Sequence, residues 1–260
     1  MTTLDFHKKK AEKQKIAMVT CYDATFARII NESDIDCILI GDSASMVMHG
    51  EKTTVPAKME WMTEHTRSVR NGAPDKYIVS DMPYLTPRKG IEHATECAGN
   101  LLVAGANSVK IEGIFGQEDV ISHLVQSGIP VMAHLGLTPQ FYHAFGGHKM
   151  QGKTEEAAAK IIEEARLAEK LGCYAIVLEC IPAAVAAKIT AAVSVPTIGI
   201  GAGVDCDGQV LVLQDMLGMS GFKMRFVRQY MDGLNLIKGA LNSYSADVHT
   251  SAFPAGDEIK

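Results

Sequence analysis

The chain has 260 residues, 47% of them hydrophobic, enough for one large buried core or two small ones. Its 25 basic and 30 acidic residues give a formal charge of −5, which argues against nucleic acid as a partner because phosphate-binding surfaces carry a basic excess. No apolar stretch approaches the roughly 18 residues of a membrane span, and six cysteines show neither C-x-x-C pairs nor framework spacing, so a reducing cytoplasm is expected.

From the N-terminus, His7-Lys8-Lys9-Lys10 with Lys13 and Lys15 reads as the solvated face of a helix. Eight short runs of β-formers follow, at 17–22, 37–41, 76–80, 108–112, 130–134, 175–179, 196–200 and 209–213. Helical periodicity fills most of the gaps, near 24–33, 57–71, 88–105, 117–127, 155–171 and 183–193. The clearest helix carries an apolar stripe of Ala158, Ile161, Ile162, Ala165 and Ala168, with Thr154 as N-cap and Gly172 as C-cap. Strands alternating with helices in this way predict an α/β fold, a single-domain (β/α)8 TIM barrel over 1–260 with a weakly patterned tail after about 243. Eight residues separate the seventh and eighth strand candidates, fewer than a helical crossover needs. Either that connection is pinched or a strand is miscounted.

The chemistry sits where the strands stop. Asp42, Asp81 and Glu112 end the second, third and fourth strands, and ligands in parallel α/β sheets bind beyond the carboxyl ends of strands. One such acid could be a helix cap or half of a salt bridge. Three in succession would repel one another unless a cation or shared protons relieved them, and hard oxygen ligands without a His or Cys pattern favour Mg²⁺. Lys110 shares a strand face with Glu112 and needs an anionic partner, either Asp42, Asp81 or a substrate carboxylate. Ser43 follows Asp42 in a turn where an amide and a hydroxyl could bind a carboxylate or cap a helix. Glu179 ends the sixth strand in an apolar setting suited to a general base. His134 ends the fifth, where a core role competes with an accessory one. Cys180 should point away from Glu179 and has no paired histidine in sequence. The Gly-rich turn at Gly199-Ile200-Gly201-Ala202-Gly203, where barrels often bind phosphate, reads rather as close packing, and the aperiodic stretch Leu135 to Gly152 as a lid or rim loop.

Seven separated motifs occur in order: Thr20-Cys21-Tyr22-Asp23, Gly41-Asp42-Ser43, Asp81-Met82-Pro83, Val109-Lys110-Ile111-Glu112-Gly113, His134-Leu135-Gly136-Leu137-Thr138-Pro139-Gln140, Phe145-Gly146-Gly147, and the glycine turn at 199–203. In these, from about Met18 to Gly221, the chain resembles the ketopantoate hydroxymethyltransferase family. The resemblance implies a Mg²⁺-binding (β/α)8 barrel that transfers a hydroxymethyl group from 5,10-methylenetetrahydrofolate to 3-methyl-2-oxobutanoate. The product is 2-dehydropantoate, formed through a Mg²⁺-stabilised enolate in pantothenate biosynthesis. Asp42 and Asp81 look like Mg²⁺ ligands with Glu112 completing the metal environment. Ser43, Asp81, Lys110 and Asp42 look like keto-acid contacts, Glu179 like the proton acceptor, and His134 like an accessory group. Cyclic homo-oligomers, commonly decamers, are implied as well. Where the family continues Gly41-Asp42-Ser43 with a bulky aliphatic and glycine, this chain has Ala44-Ser45; Tyr84 replaces a Phe, and the ending is Asp257-Glu258-Ile259-Lys260. The nearest alternative is a carboxylate-rich Mg²⁺ barrel of the phosphoenolpyruvate mutase and isocitrate lyase type, but its cysteine-bearing lid motif is missing. A catalytically silent scaffold predicts loss of at least one of Asp42, Asp81, Glu112 or Glu179, and all four stand.

Overall fold

A computed structural model describes every residue except Phe222, Lys223, Asp257, Ile259 and Lys260, so the divergent ending lies outside the described residues apart from Glu258. The chain forms two compact units, Met1–Leu211 and Val212–Lys260.

In the first unit, α1 (Thr3–Ala11) precedes β1 (Ile16–Thr20), α2 (Ala24–Asn31), β2 (Cys37–Ile40), the single turn α3 (Ala44–Val47) and α4 (Met59–Gly72). Then follow β3 (Tyr77–Asp81), α5 (Ile91–Val103), β4 (Ser108–Glu112), α6 (Glu118–Gln126) and β5 (Val131–Gly136). The turn α7 (Tyr142–Phe145), α8 (Glu155–Lys170), β6 (Ala175–Glu179), α9 (Ala183–Ala192), β7 (Thr197–Ile200) and β8 (Gly208–Leu211) complete it. The strands close into a parallel barrel in sequence order, with β8 pairing back on β1. Every predicted strand is present within two residues of its expected limits.

The β7–β8 connection is pinched rather than miscounted: no helix lies between Ile200 and Gly208. Gly208 lets β8 close tightly on β1, because a Cβ there would strike the Ile16 carbonyl at 2.5 Å. β7 and β8 pair through Ile198–Gly208 and Gly199–Gln209 alone.

Alternation along the strands sorts side chains into two populations. Leu39, Val79, Met132, Val177, Ile198 and Val210 point inward and fill the barrel. At its N-terminal end α1 inserts Phe6, fully buried, edge-on against Tyr77 and Tyr174 at 5.2 Å each. The basic cluster is therefore more than a solvated face. Lys10 pairs with Asp207 at 2.9 Å and donates to the Thr190 and Val195 carbonyls, Lys9 reaches Asp36 at 2.7 Å, and Lys15 donates to Cys206 O. These contacts hold the Phe6 plug in place. Phe6→Leu keeps most of the volume but loses two edge-on ring contacts, so it should cost about 1–3 kcal/mol in urea unfolding.

The second unit contains α10 (Leu213–Met216) and α11 (Gly233–His249). Backbone bonds from Tyr230, Gly233 and Leu234 to the carbonyls of Met216, Leu217 and Gly218 join them. α11 continues past the point where a weakly patterned tail was expected. Its apolar residues Leu236, Leu241 and Tyr244 are exposed, so the periodicity signal of a core-facing helix is blurred. Among the described residues, no helix is long and apolar enough to cross a membrane.

Candidate active site

Register assembles the site. β3 and β4 place Asp81 beside Lys110, β4 and β5 place Glu112 beside His134, and β5 and β6 place Gly136 beside Glu179. All of these residues share the inward face at the strands' carboxyl ends. Asp42 is separated from the end of β2 by Gly41 and donates its backbone amide to Asp81 Oδ2 at 2.9 Å. Gly41 leaves room for the next hydroxyl, since a Cβ there would meet Ser43 Oγ at 2.6 Å. Ser43 Oγ in turn lies 2.8 Å from the buried Tyr22 hydroxyl, which fixes its orientation.

Lys110 is the hub. Its ammonium stands 3.1 Å from Asp81 Oδ1, 3.9 Å from Glu112 Oε1 and 2.9 Å from His134 Nδ1. Asp42, Asp81, Lys110, Glu112 and His134 are all buried. Burial raises the pKa of Asp42, helped by the nearby Glu112 and Asp81 carboxylates. Burial likewise raises Asp81 and Glu112, against the pull of Lys110 in the other direction. Burial pulls Lys110 down, but Asp81, Glu112 and Asp42 outweigh it and hold the ammonium above its ordinary value. The positive charge is thus secure, and the three acids, raised by burial, stand to gain from a cation that favours their charged forms.

Burial and then Lys110 lower the pKa of His134. The imidazole is neutral, and because Lys110 donates to Nδ1, the proton must reside on Nε2. Nε2 faces Glu179 Oε2 at 3.2 Å, short of good hydrogen-bond alignment. Glu179 has a side chain 18% exposed, against 3% for His134, so it borders solvent while its neighbours do not. The imidazole therefore separates Glu179 from the three acids. The next residue, Cys180, adopts a left-handed backbone with φ 46° and turns away into the β6–α9 loop. Burial pushes its thiol up to about 12, so no thiolate nucleophile forms near neutrality.

Gln140 was not singled out from sequence, although its motif was. Its side-chain amide donates to Asp42 Oδ2 at 2.8 Å and to Met82 O at 3.0 Å, and its backbone amide donates to Glu112 Oε2 at 2.9 Å. One residue of the rim loop thus orients two of the three carboxylates. Pro139 gives the only local hint, setting the tight turn Pro139–Phe141 that aims Gln140 inward.

A divalent cation fits this chemistry. Asp81 Oδ1 and Glu112 Oε1 are buried oxygens without an aligned hydrogen-bond partner. Among the described residues no three His, Cys, Asp or Glu form a ligand cage. Mg²⁺ does not need one, since it binds through one or two carboxylates plus water and substrate oxygens.

The sequence model described as ketopantoate hydroxymethyltransferase matches residues 1–256. The 3-methyl-2-oxobutanoate hydroxymethyltransferase of Bdellovibrio bacteriovorus is 54% identical over 258 residues, covering 99% of this chain and 98% of that protein. The enzyme of the same name from Coxiella burnetii is 46% identical, covering 98% and 96%. Among solved structures, the phosphoenolpyruvate phosphomutase of Streptomyces platensis subsp. rosaceus aligns at TM-score 0.67 and 11% identity, covering 100% of this chain and 92% of that one. A 2,3-dimethylmalate lyase of the PEP mutase/isocitrate lyase superfamily aligns at 0.57 and 14%, covering 95% and 98%. At such identities the structural likeness carries the fold alone, whereas the sequence matches run nearly the whole length of the chain. The chain belongs to the ketopantoate hydroxymethyltransferase family.

Proposed function

We propose that this protein transfers a hydroxymethyl group from 5,10-methylenetetrahydrofolate to 3-methyl-2-oxobutanoate, giving 2-dehydropantoate for pantothenate biosynthesis. The observation that carries the reading is the division of the strand-end acids. Asp81 and Glu112 flank one ammonium on which Asp42 also acts, while Glu179 stands across a neutral imidazole from Glu112. A cation site and a separate base are what proton removal beside a carbonyl requires.

In this reading Asp42 and Asp81 would hold Mg²⁺, and Glu112 completes its environment. Bound there, the ion supplies Lewis-acid polarisation of the keto oxygen. Lys110 and the Tyr22-oriented Ser43 hydroxyl bind the keto acid's oxygens, beside Asp42 and Asp81. Glu179 removes the proton from the branched carbon, and His134 Nε2–H steadies its carboxylate. The carbon so activated forms a C–C bond to the folate's methylene carbon as both C–N bonds break. The folate nitrogens take up one proton from the branched carbon and one from water, and the water OH becomes the new hydroxyl. The same reading takes the enzyme to be cytoplasmic, in keeping with its six free cysteines, and to act as a homo-oligomer, a decamer in the family pattern.

Incubation with 3-methyl-2-oxobutanoate in D₂O tests the core of this reading. Exchange at the branched carbon should require Mg²⁺ and stop on addition of EDTA. No Mg²⁺-dependent exchange, together with no product from methylenetetrahydrofolate, would overturn it.

A further inference from the structure

A cavity of about 390 Å³ opens beside the acid cluster, within the roughly 300–1,000 Å³ typical of small-molecule sites. Its inner wall includes Gly113 and Gly136. The first directly follows Glu112, and the second lies opposite Glu179 in the β5–β6 register. A Cβ at Gly136 would drive into the Glu179 carbonyl, so this wall admits no side chain between cavity and base. The keto-acid groups Ser43, Asp81 and Lys110 do not line the cavity, and a small polar anion has no use for its chemistry.

That chemistry is specific. Phe115, Phe141 and Phe145 supply half-buried ring faces, the last two stacked at 5.9 Å and 26°. Glu164 projects from α8, its Oε1 accepting the Ile114 amide at 2.6 Å and the Phe115 amide at 3.4 Å. The carboxylate is anchored through one oxygen, which leaves the other to a ligand. Lys160, one turn earlier, does not neutralise it but lies over the Phe115 ring at 5.6 Å. Arg88 lies over Phe141 at 5.3 Å and touches only the Phe115 carbonyl in reach of a hydrogen bond. Neither cation makes an ion pair with a described residue. The cavity therefore offers flat apolar walls, one anchored acid and two exposed cations at its edge.

We infer that this cavity seats the one-carbon donor, a reduced folate, and the inference rests on the function proposed above. The pterin and benzoyl rings stack on the three phenylalanines. The Glu164 carboxylate accepts from the pterin's amino and ring N–H edge, a charge-assisted pair. Arg88 and Lys160 face the carboxylates of the glutamate tail. The methylene carbon is thereby presented across Gly136 to the carbon that Glu179 deprotonates.

The test pairs two measurements on the full-length protein and on Phe115→Leu, Phe141→Leu and Glu164→Gln. Tetrahydrofolate affinity is measured by calorimetry in the presence of keto acid, and deuterium exchange of the keto acid is followed with Mg²⁺. Each variant should weaken tetrahydrofolate binding by roughly 10-fold or more, in line with the loss of one stacked face or one charged pair. Exchange, which needs no folate, should stay within about two-fold, and formaldehyde supplied in place of the folate should restore product formation. Unchanged tetrahydrofolate affinity in all three variants, with exchange intact in the parent, would overturn the assignment of this cavity. Loss of exchange in a variant together with its folate affinity would also overturn it, by showing a general collapse of the barrel mouth. Absence of exchange in the parent protein would instead sink the proposed function, and this inference with it.

Discussion

Replacing Glu179 with Gln will lower Mg²⁺-dependent deuterium exchange at the branched carbon by about 10²–10⁴-fold, the range for a positioned general base. Keto-acid binding should survive. The reasoning is local. Gln is nearly isosteric with Glu, and its carbonyl oxygen can still accept from His134 Nε2, so the imidazole and the Lys110 hub behind it keep their places. What disappears is an acceptor for the carbon-bound proton. Glu179 is also the outermost of the strand-end acids and meets His134, whereas Asp81 and Glu112 meet Lys110, so its charge contributes least to holding the keto acid. Titration of keto acid with and without Mg²⁺ separates the roles. If binding falls along with exchange, Glu179 belongs to the metal or substrate environment and another group is the base.

The site was legible in sequence to the extent that strands announce their ends. Apolar runs of four or five residues closing on Asp81, Glu112 or Glu179 mark both strand and mouth, and period-two alternation puts Lys110 with Glu112. What sequence could not show is the register between strands. It is register that makes His134 the neighbour of Glu112 and places the imidazole between Lys110 and Glu179. Gln140 escaped for a related reason. It lies in an aperiodic loop, and its three donors find partners 28, 58 and 98 positions away along the chain. Lys8 is solvated as charge runs ordinarily are, but Lys9 and Lys10 are not. Here Phe6 carries the helix onto the barrel floor, and Lys10 is drawn against carbonyls far along the chain. The cavity beside Glu164 was visible in sequence only as the aperiodic rim loop from Leu135 to Gly152.

Replacing Lys110 with Met should destabilise the protein by about 3–5 kcal/mol at neutral pH, the usual cost of removing one partner from a buried charge group. The deficit should also depend on pH in a direction opposite to ordinary acid denaturation. Asp42, Asp81 and Glu112 have native pKa values above their unfolded values of 3.8, 3.8 and 4.5. Across the window from those values up to the raised native ones, the folded protein holds protons that the unfolded chain has released. Stability therefore falls as pH rises through that window. Lys110 lowers the pKa of all three acids, so its removal lifts them further and carries the loss to higher pH. Its own native pKa is raised above 10.5, so in the parent its contribution is complete at neutral pH and fades only as pH climbs beyond that value. The deficit of Lys110→Met should consequently be small near pH 4.5, where the acids can remain protonated, and large near pH 8. Mg²⁺ should recover part of it at pH 8, because an ion that binds the folded state alone stabilises by mass action. Urea unfolding at the two pH values, with and without Mg²⁺, decides the matter. A deficit that is equal at both pH values would mean that Lys110 matters for packing, and that the acids around it do not form a coupled charge cluster.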